Sequence, residues 1–250
     1  MLIVALTSLG VGGATLIGGL LGFIFQKSSQ RFSKLFLAFA GGVMLSAAIF
    51  GLILPSLELG GKFGYIITTL GIFVGALCLN VVDRLTPHLH KMIGVDIELH
   101  KSSNLNKFLL FVIAIGIHNL PEGIAAGVGF GSENEAYGIF IAIGIALQNI
   151  PEGMVIISPL LNAGVSKGKT FLIASITGLI EIIGTFLGYF AVSVATMVLP
   201  FALAFAGGTM IYVVSDEMIP DTHSDGNKRG VTYSLLVGFC LMLIIDVLLG

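Results

Sequence analysis

The sequence predicts an all-α polytopic membrane protein. Eight transmembrane helices are expected in a 3+2+3 inverted-repeat arrangement, with both termini extracytoplasmic. Three observations predict it. Of the 250 residues, 56% are hydrophobic and only 10% are charged, where a soluble domain carries about 25% charge. Mean hydropathy is +1.03, and apolar runs long enough to span a bilayer, about 20 residues each, follow one another along the chain. Two short motifs each occur twice in those runs.

The predicted spans cover residues 2–25, 34–57, 63–82, 107–130, 136–161, 170–192, 196–219 and 231–249. The first has no Lys or Arg before it. It therefore lacks the charged start of a signal peptide and is expected to stay as a span. The second and third are separated by a short polar stretch holding Lys62. The one sizeable loop, 83–106, holds His88, His90, Lys91, Asp96, Glu98, His100 and Lys101. Such a tract can bind metal or simply be solvated. The fourth and fifth spans carry one repeated motif each, and the sixth carries Glu181. A break at 193–195 separates the sixth from the seventh. The chain is expected to form one transmembrane domain, 1–250, in which repeats 1–83 and 170–250 flank the helices of 107–161.

Lys and Arg set the orientation, because cytoplasmic loops carry the excess. The odd connections hold Lys27, Arg31, Lys34, Arg84, Lys91, Lys101, Lys107, Lys167, Lys169, Lys228 and Arg229, against Lys62 alone in the even ones. That bias puts the odd connections inside and both termini outside. No basic arm or patch exists, so nucleic acid is excluded as a partner. Cys78 and Cys240 lie within apolar runs. They are expected to be small core residues and not a disulfide.

One repeat is Leu37 to Met44 (LAFAGGVM) against Leu203 to Met210 (LAFAGGTM), with seven identities in eight positions. The copies fall in spans of opposite direction, which makes the repeat inverted, an architecture of transporters with a site near the midplane. Gly18 with Gly22, Gly71 with Gly75, and Gly123 with Gly127 have the spacing that lets helices approach closely in lipid. The other repeat is His118-Asn119-Leu120-Pro121-Glu122-Gly123 against Gln148-Asn149-Ile150-Pro151-Glu152-Gly153. Its polar residues fall at i, i+1 and i+4, so the first and last share one helical face.

A carboxylate at the bilayer centre costs on the order of 3 kcal/mol, which makes an intramembrane Glu a functional residue by default. Together the motifs bring one imidazole, two carboxylates and three amides to one place. Two buried carboxylates repel each other, and a cation between them turns repulsion into attraction. Imidazole, carboxylate and amide oxygen suit first-row metals such as Zn²⁺, Fe²⁺ or Mn²⁺. Glu181 is a third carboxylate without a basic partner in its span, and Met44 offers a thioether. Pro121 and Pro151 each remove a helical N–H, so both motif helices are expected to kink beside the cluster, loosened by Gly123 and Gly153. An intramembrane metalloenzyme, a protease or lipid hydrolase, is the alternative. Against it, His-Glu-x-x-His is absent and both Glu residues are consumed as ligands.

The paired motifs, Glu181, the stretch from Met44-Leu45 to Leu54-Pro55, and Asp216-Glu217-Met218-Ile219-Pro220-Asp221-Thr222-His223 resemble the ZIP (Zrt/Irt-like) metal transporters, in their bacterial GufA-like branch. The resemblance spans essentially the whole chain. It implies transport of a divalent metal toward the cytoplasm across the plasma (inner) membrane, zinc first, with iron, manganese or cadmium as alternatives. The metal is cargo and no catalytic cofactor is implied. One ion would be held by Met44, His118, Glu122, Gln148 and Glu152. A second would be held by Asn119, Glu122, Asn149, Glu152 and Glu181, the two motif glutamates bridging. Glu58 would sit near the outer mouth, and Asp216, Glu217 and His223 would line the exit. The partners implied are divalent metal ions, the lipid bilayer and, as a candidate, a second copy of the chain. Gln148 stands where many members have His, which weakens selectivity for zinc alone, and Asn149 stands where close relatives can have Asp, which weakens the second metal site.

Overall fold

The computed structural model describes residues 1–25, 30–85, 119–130, 135–162, 164–194, 196–223 and 228–249. Helix α1 is Leu2–Phe25. Helix α2 begins as Gln30–Ser46, widens into a π-helical stretch at Ala47–Ile53 and finishes as Leu54–Leu59. Helix α3 is Gly64–Leu85, and α4 is the described helix of 119–129. Helix α5 is Glu135–Asn162 and α6 is Lys167–Val194. Helix α7 runs through Leu199–Val213, a π-helical Val214–Met218 and Ile219–His223. Helix α8 is Lys228–Leu249. The described residues hold no strand.

Seven of these rods are long and apolar enough to cross a membrane. The fourth predicted span is described only over 119–130, and the loop 83–106 lies almost wholly outside the described residues. The first span matches its expected ends. Others are longer: α6 starts at Lys167 and α7 continues to His223. Lysine is a good helix former, so a helix need not stop where the apolar run stops.

The surface is apolar, as a lipid-facing surface must be. On α6, Leu172, Leu179, Ile183, Leu187 and Phe190 are exposed along one stripe. The opposite stripe, with Ile173, Ala174, Thr177, Glu181 and Thr185, is buried. Cys78 and Cys240 are exposed on α3 and α8. This corrects their expected place in the core: on such a surface a small apolar side chain is as well placed against lipid as inside.

Helix α1 lies against α5 and α6, α2 against α8 and α5, and α3 against α7. Glycine sets these approaches, and the contacts come in matching pairs. A Cβ on Gly42 would strike the Leu235 carbonyl of α8, and one on Gly208 would strike the Ile72 carbonyl of α3. A Cβ on Gly238 would meet the Phe39 carbonyl, and one on Gly75 the Phe205 carbonyl. Gly42 and Gly208, like Phe39 and Phe205, hold equivalent places in the repeated octapeptide.

The ladder of helical hydrogen bonds changes register at prolines other than those expected. The π-helical stretches precede Pro55 and Pro220. A proline ring clashes with the carbonyl four residues earlier and cannot bond to it. Those carbonyls, of Gly51 and Asp216, fall inside the widened turns, where the clash is relieved. Helix α5, by contrast, runs as one α-helix through Pro151. No widened turn forms at Pro151, and α1 packs against that place: a Cβ on Gly18 would strike the Ile150 carbonyl.

Candidate metal centre

The centre forms where α1, α4, α5 and α6 meet. Each motif glycine sets one of the approaches. A Cβ on Gly153 would collide with the backbone carbonyl of Thr15 in α1, and one on Gly123 with that of Glu181 in α6. The glycines expected to loosen a kink thus serve to seat two helices against the motif. Helices α1 and α6 also touch each other through Gly12 and Gly178, each glycine against the other's carbonyl.

Thr15 and Glu181, the two residues so seated, are joined side chain to side chain. The Thr15 hydroxyl lies 2.9 Å from Oε1 and 2.8 Å from Oε2 of Glu181. Asn119 Nδ2 donates to Glu181 Oε1. Asn149 Nδ2 donates to Glu181 Oε2 at 2.7 Å and to the Val11 carbonyl at 3.2 Å. Glu181 is fully buried, and both of its oxygens have donors.

The rest of the cluster is not satisfied. Six buried side-chain polar atoms lack a partner among the described residues, and four belong to Glu122 (Oε2), Gln148 (Oε1 and Nε2) and Asn149 (Oδ1). Glu122, Gln148 and Asn149 are all buried, while Glu152 is partly exposed. Met44 is fully buried, packed in the apolar core with Ala125, Ala126, Met210 and Met218. Among the described residues, no three His, Cys, Asp or Glu side chains already stand close enough to hold a metal.

His118 lies outside the described residues, as do His88, His90 and His100. The pathway residues sit toward helix ends. Glu58 is exposed on the last turn of α2. Asp216 is exposed and Glu217 half-buried in the π-helical part of α7. His223 Nδ1 is 2.9 Å from the Ile219 carbonyl and Nε2 is 3.3 Å from the Thr232 hydroxyl.

Thr15 was not anticipated as a site residue, though its signal is in the sequence. The 166-residue step that carries Thr15 to Glu181 also carries Leu37 to Leu203 and Gly12, Gly18 and Gly22 to Gly178, Gly184 and Gly188. A threonine and a glutamate do not look alike, so the equivalence is visible only in register.

Helical throughout its described residues and apolar on its exterior, the chain has the make-up of a multi-pass membrane protein. Known proteins specify it further. The family described as ZIP Zinc transporter matches residues 95–246. The chain is 37% identical to the "Zinc transporter GufA" of Myxococcus xanthus over 249 residues, 97% of each chain. It is 35% identical to the "Zinc transporter ZIPB" of Bordetella bronchiseptica, over 95% of this chain and 78% of that one. It is 34% identical to the "Zinc transporter ZupT" of Chlorobaculum parvum, over 95% and 94%. The chain belongs to the ZIP zinc transporter family. The family is one of transporters, which answers the metalloenzyme alternative.

Proposed function

We propose that the chain carries a divalent transition-metal ion through the membrane, zinc before iron, manganese or cadmium, and that the ion rests between Glu122 and Glu152. The observation that carries this reading is the group of buried polar atoms on Glu122, Gln148 and Asn149 that have no hydrogen-bond partner within bonding geometry among the described residues. An unsatisfied buried polar group costs about 1–3 kcal/mol, so a site with several is arranged for something that binds. A cation satisfies the oxygens together and removes the repulsion between carboxylates. His118 and Met44 complete the set with the nitrogen and soft sulfur that zinc accepts.

Uptake runs toward the cytoplasm across the inner membrane, entering past Glu58 and leaving past Asp216, Glu217 and His223. The Lys and Arg bias supports termini outside. The paired glycine contacts support 1–83 and 170–250 as inverted repeats about α4 and α5. A second ion at Asn119, Asn149 and Glu181 is the finer expectation, and it requires Glu181 to leave the donors that now hold it.

The test is uptake of Zn²⁺ and Cd²⁺ by proteoliposomes. Glu122→Ala and Glu152→Ala are each expected to abolish it, and Asn149→Ala to reduce it less, since a neutral amide contributes less than a charge. Near-normal uptake by either glutamate variant overturns the site.

A further inference from the structure

We propose that Thr15 is a positioning residue for the second ion: its hydroxyl holds the Glu181 carboxylate while the ion displaces the asparagine amides from it. This rests on the metal site proposed above. It takes Glu181 as a ligand there and adds a residue that is not one.

A threonine in a helix commonly satisfies its hydroxyl on its own backbone. Thr7, Thr177, Thr185 and Thr209 do so, on carbonyls three or four residues earlier. Thr15 is buried and does otherwise. Its hydroxyl lies 2.9 Å from Oε1 and 2.8 Å from Oε2 of Glu181. A hydroxyl has one hydrogen to give, so the bond to α6 replaces one within α1. The two near-equal distances let Thr15 keep either oxygen.

Among the described residues, Glu181 has three side-chain donors: Thr15, Asn119 and Asn149. Two of them are proposed ligands of the same ion. Their amide hydrogens and the ion compete for the same carboxylate oxygens. Thr15 is the donor that is not also a ligand, so its bond persists whichever way the amides turn. The donors that Glu181 leaves for the ion are therefore the amides.

The second ion depends on this hold more than the first. The first has Met44, His118 and Gln148 besides the bridging Glu122 and Glu152. The second has two neutral amides and Glu181, the one charged ligand that it does not share. Where that carboxylate points decides how well the second ion is held. The positions of both partners are set by the motif glycines. A Cβ on Gly153 would strike the Thr15 carbonyl, and one on Gly123 the Glu181 carbonyl. Each glycine directly follows a bridging glutamate, so Thr15, Glu181 and the bridging ligands are seated on one another.

The test follows Zn²⁺ binding to purified, detergent-solubilised protein stripped with a chelator. Calorimetric titration gives the affinities, and metal per protein is counted after gel filtration. The wild type is expected to hold two ions, the second more weakly. Valine has the shape of threonine without its hydroxyl. Thr15→Val should weaken the second ion by about 10- to 100-fold, the usual size of an outer-shell loss, and leave the first unchanged. Thr15→Ser, which keeps the hydroxyl, should bind both ions as the wild type does. A second ion unaffected by Thr15→Val, an equal loss at both ions, or a loss that Thr15→Ser shares overturns the proposal. A wild type that holds one ion overturns it too, and leaves the first site and the transport reading standing. A wild type that binds no Zn²⁺ overturns both the proposal and the site it rests on. If Thr15→Val does not fold, Thr15→Ala, smaller and also without a hydroxyl, takes its place and is judged by the same outcomes.

Discussion

Gln148 is the residue at which selectivity is most open to adjustment. Its side chain is fully buried beside Glu122. An amide oxygen serves hard and borderline ions alike, whereas imidazole favours zinc over manganese. Gln148→His is therefore expected to raise the ratio of Zn²⁺ to Mn²⁺ affinity, measured by competition in purified protein; an unchanged ratio would mean that position 148 does not face the ion. Protons compete with metal for carboxylates and imidazole, so binding is coupled to pH. Affinity should fall as pH drops from 7.5 to 5.5, with protons released on binding. Calorimetric titration in buffers of different ionisation enthalpy reads this directly. Affinity independent of pH, with no proton release, would show that neither Glu122, Glu152 nor His118 is a ligand. The buried polar cluster was legible because charge and amide in an apolar run are conspicuous. Thr15 was not, since a threonine in a membrane helix ordinarily satisfies itself on its own backbone, as Thr185 does on the Glu181 carbonyl.

The decisive contacts between helices are made by glycine. Gly123→Ala and Gly153→Ala each force a methyl into a neighbouring backbone carbonyl, where no side chain can move aside. Overpacking of this kind costs about 1–3 kcal/mol, and the displaced helix is one that carries Thr15 or Glu181. Both variants should melt earlier in detergent and lose transport. Gly13→Ala, with nothing within 4 Å of the added methyl, should melt at or above the wild-type temperature, because alanine is the better helix former. Equal melting of all three would contradict the packing described. The small-residue spacing was readable from sequence, yet it does not say which helix each glycine meets. The prolines show the same limit. Sequence says that a proline inside a helix removes a hydrogen bond, and says it equally of Pro55, Pro151 and Pro220. Packing decides which of them widen the turn. Pro55 and Pro220 do, whereas at Pro151, packed against α1 at Gly18, no widened turn forms.

At the scale of the whole molecule, orientation is the property most open to a direct check. In a protein with Cys78 and Cys240 replaced, Lys62→Cys should react with an impermeant thiol reagent added outside intact cells. Ser166→Cys, at the start of the helix carrying Lys167 and Lys169, should not. The reverse pattern would invert the topology. Seven of the eight expected spans were legible among the described residues, because hydrophobic length is a property of sequence alone. Helix ends were less so: the chain keeps its helix beyond the apolar run wherever good helix formers follow, as at Lys167. Which helices touch was not legible: the repeated octapeptide does not say that Gly42 meets α8 and Gly208 meets α3.

The bond between Thr15 and Glu181 joins residues 166 positions apart, and this fixes an order of events during synthesis. When α5 enters the membrane, Asn149 and Glu122 are already in place, but the acceptor that will hold the amides has not yet been made. Until α6 arrives, the nascent protein keeps a cluster of unmatched polar groups in lipid, in need of water or of a companion protein from the insertion machinery. A chain halted at residue 165 should remain bound to that machinery and be degraded when released, whereas one extended past residue 194 can close the cluster and be let go.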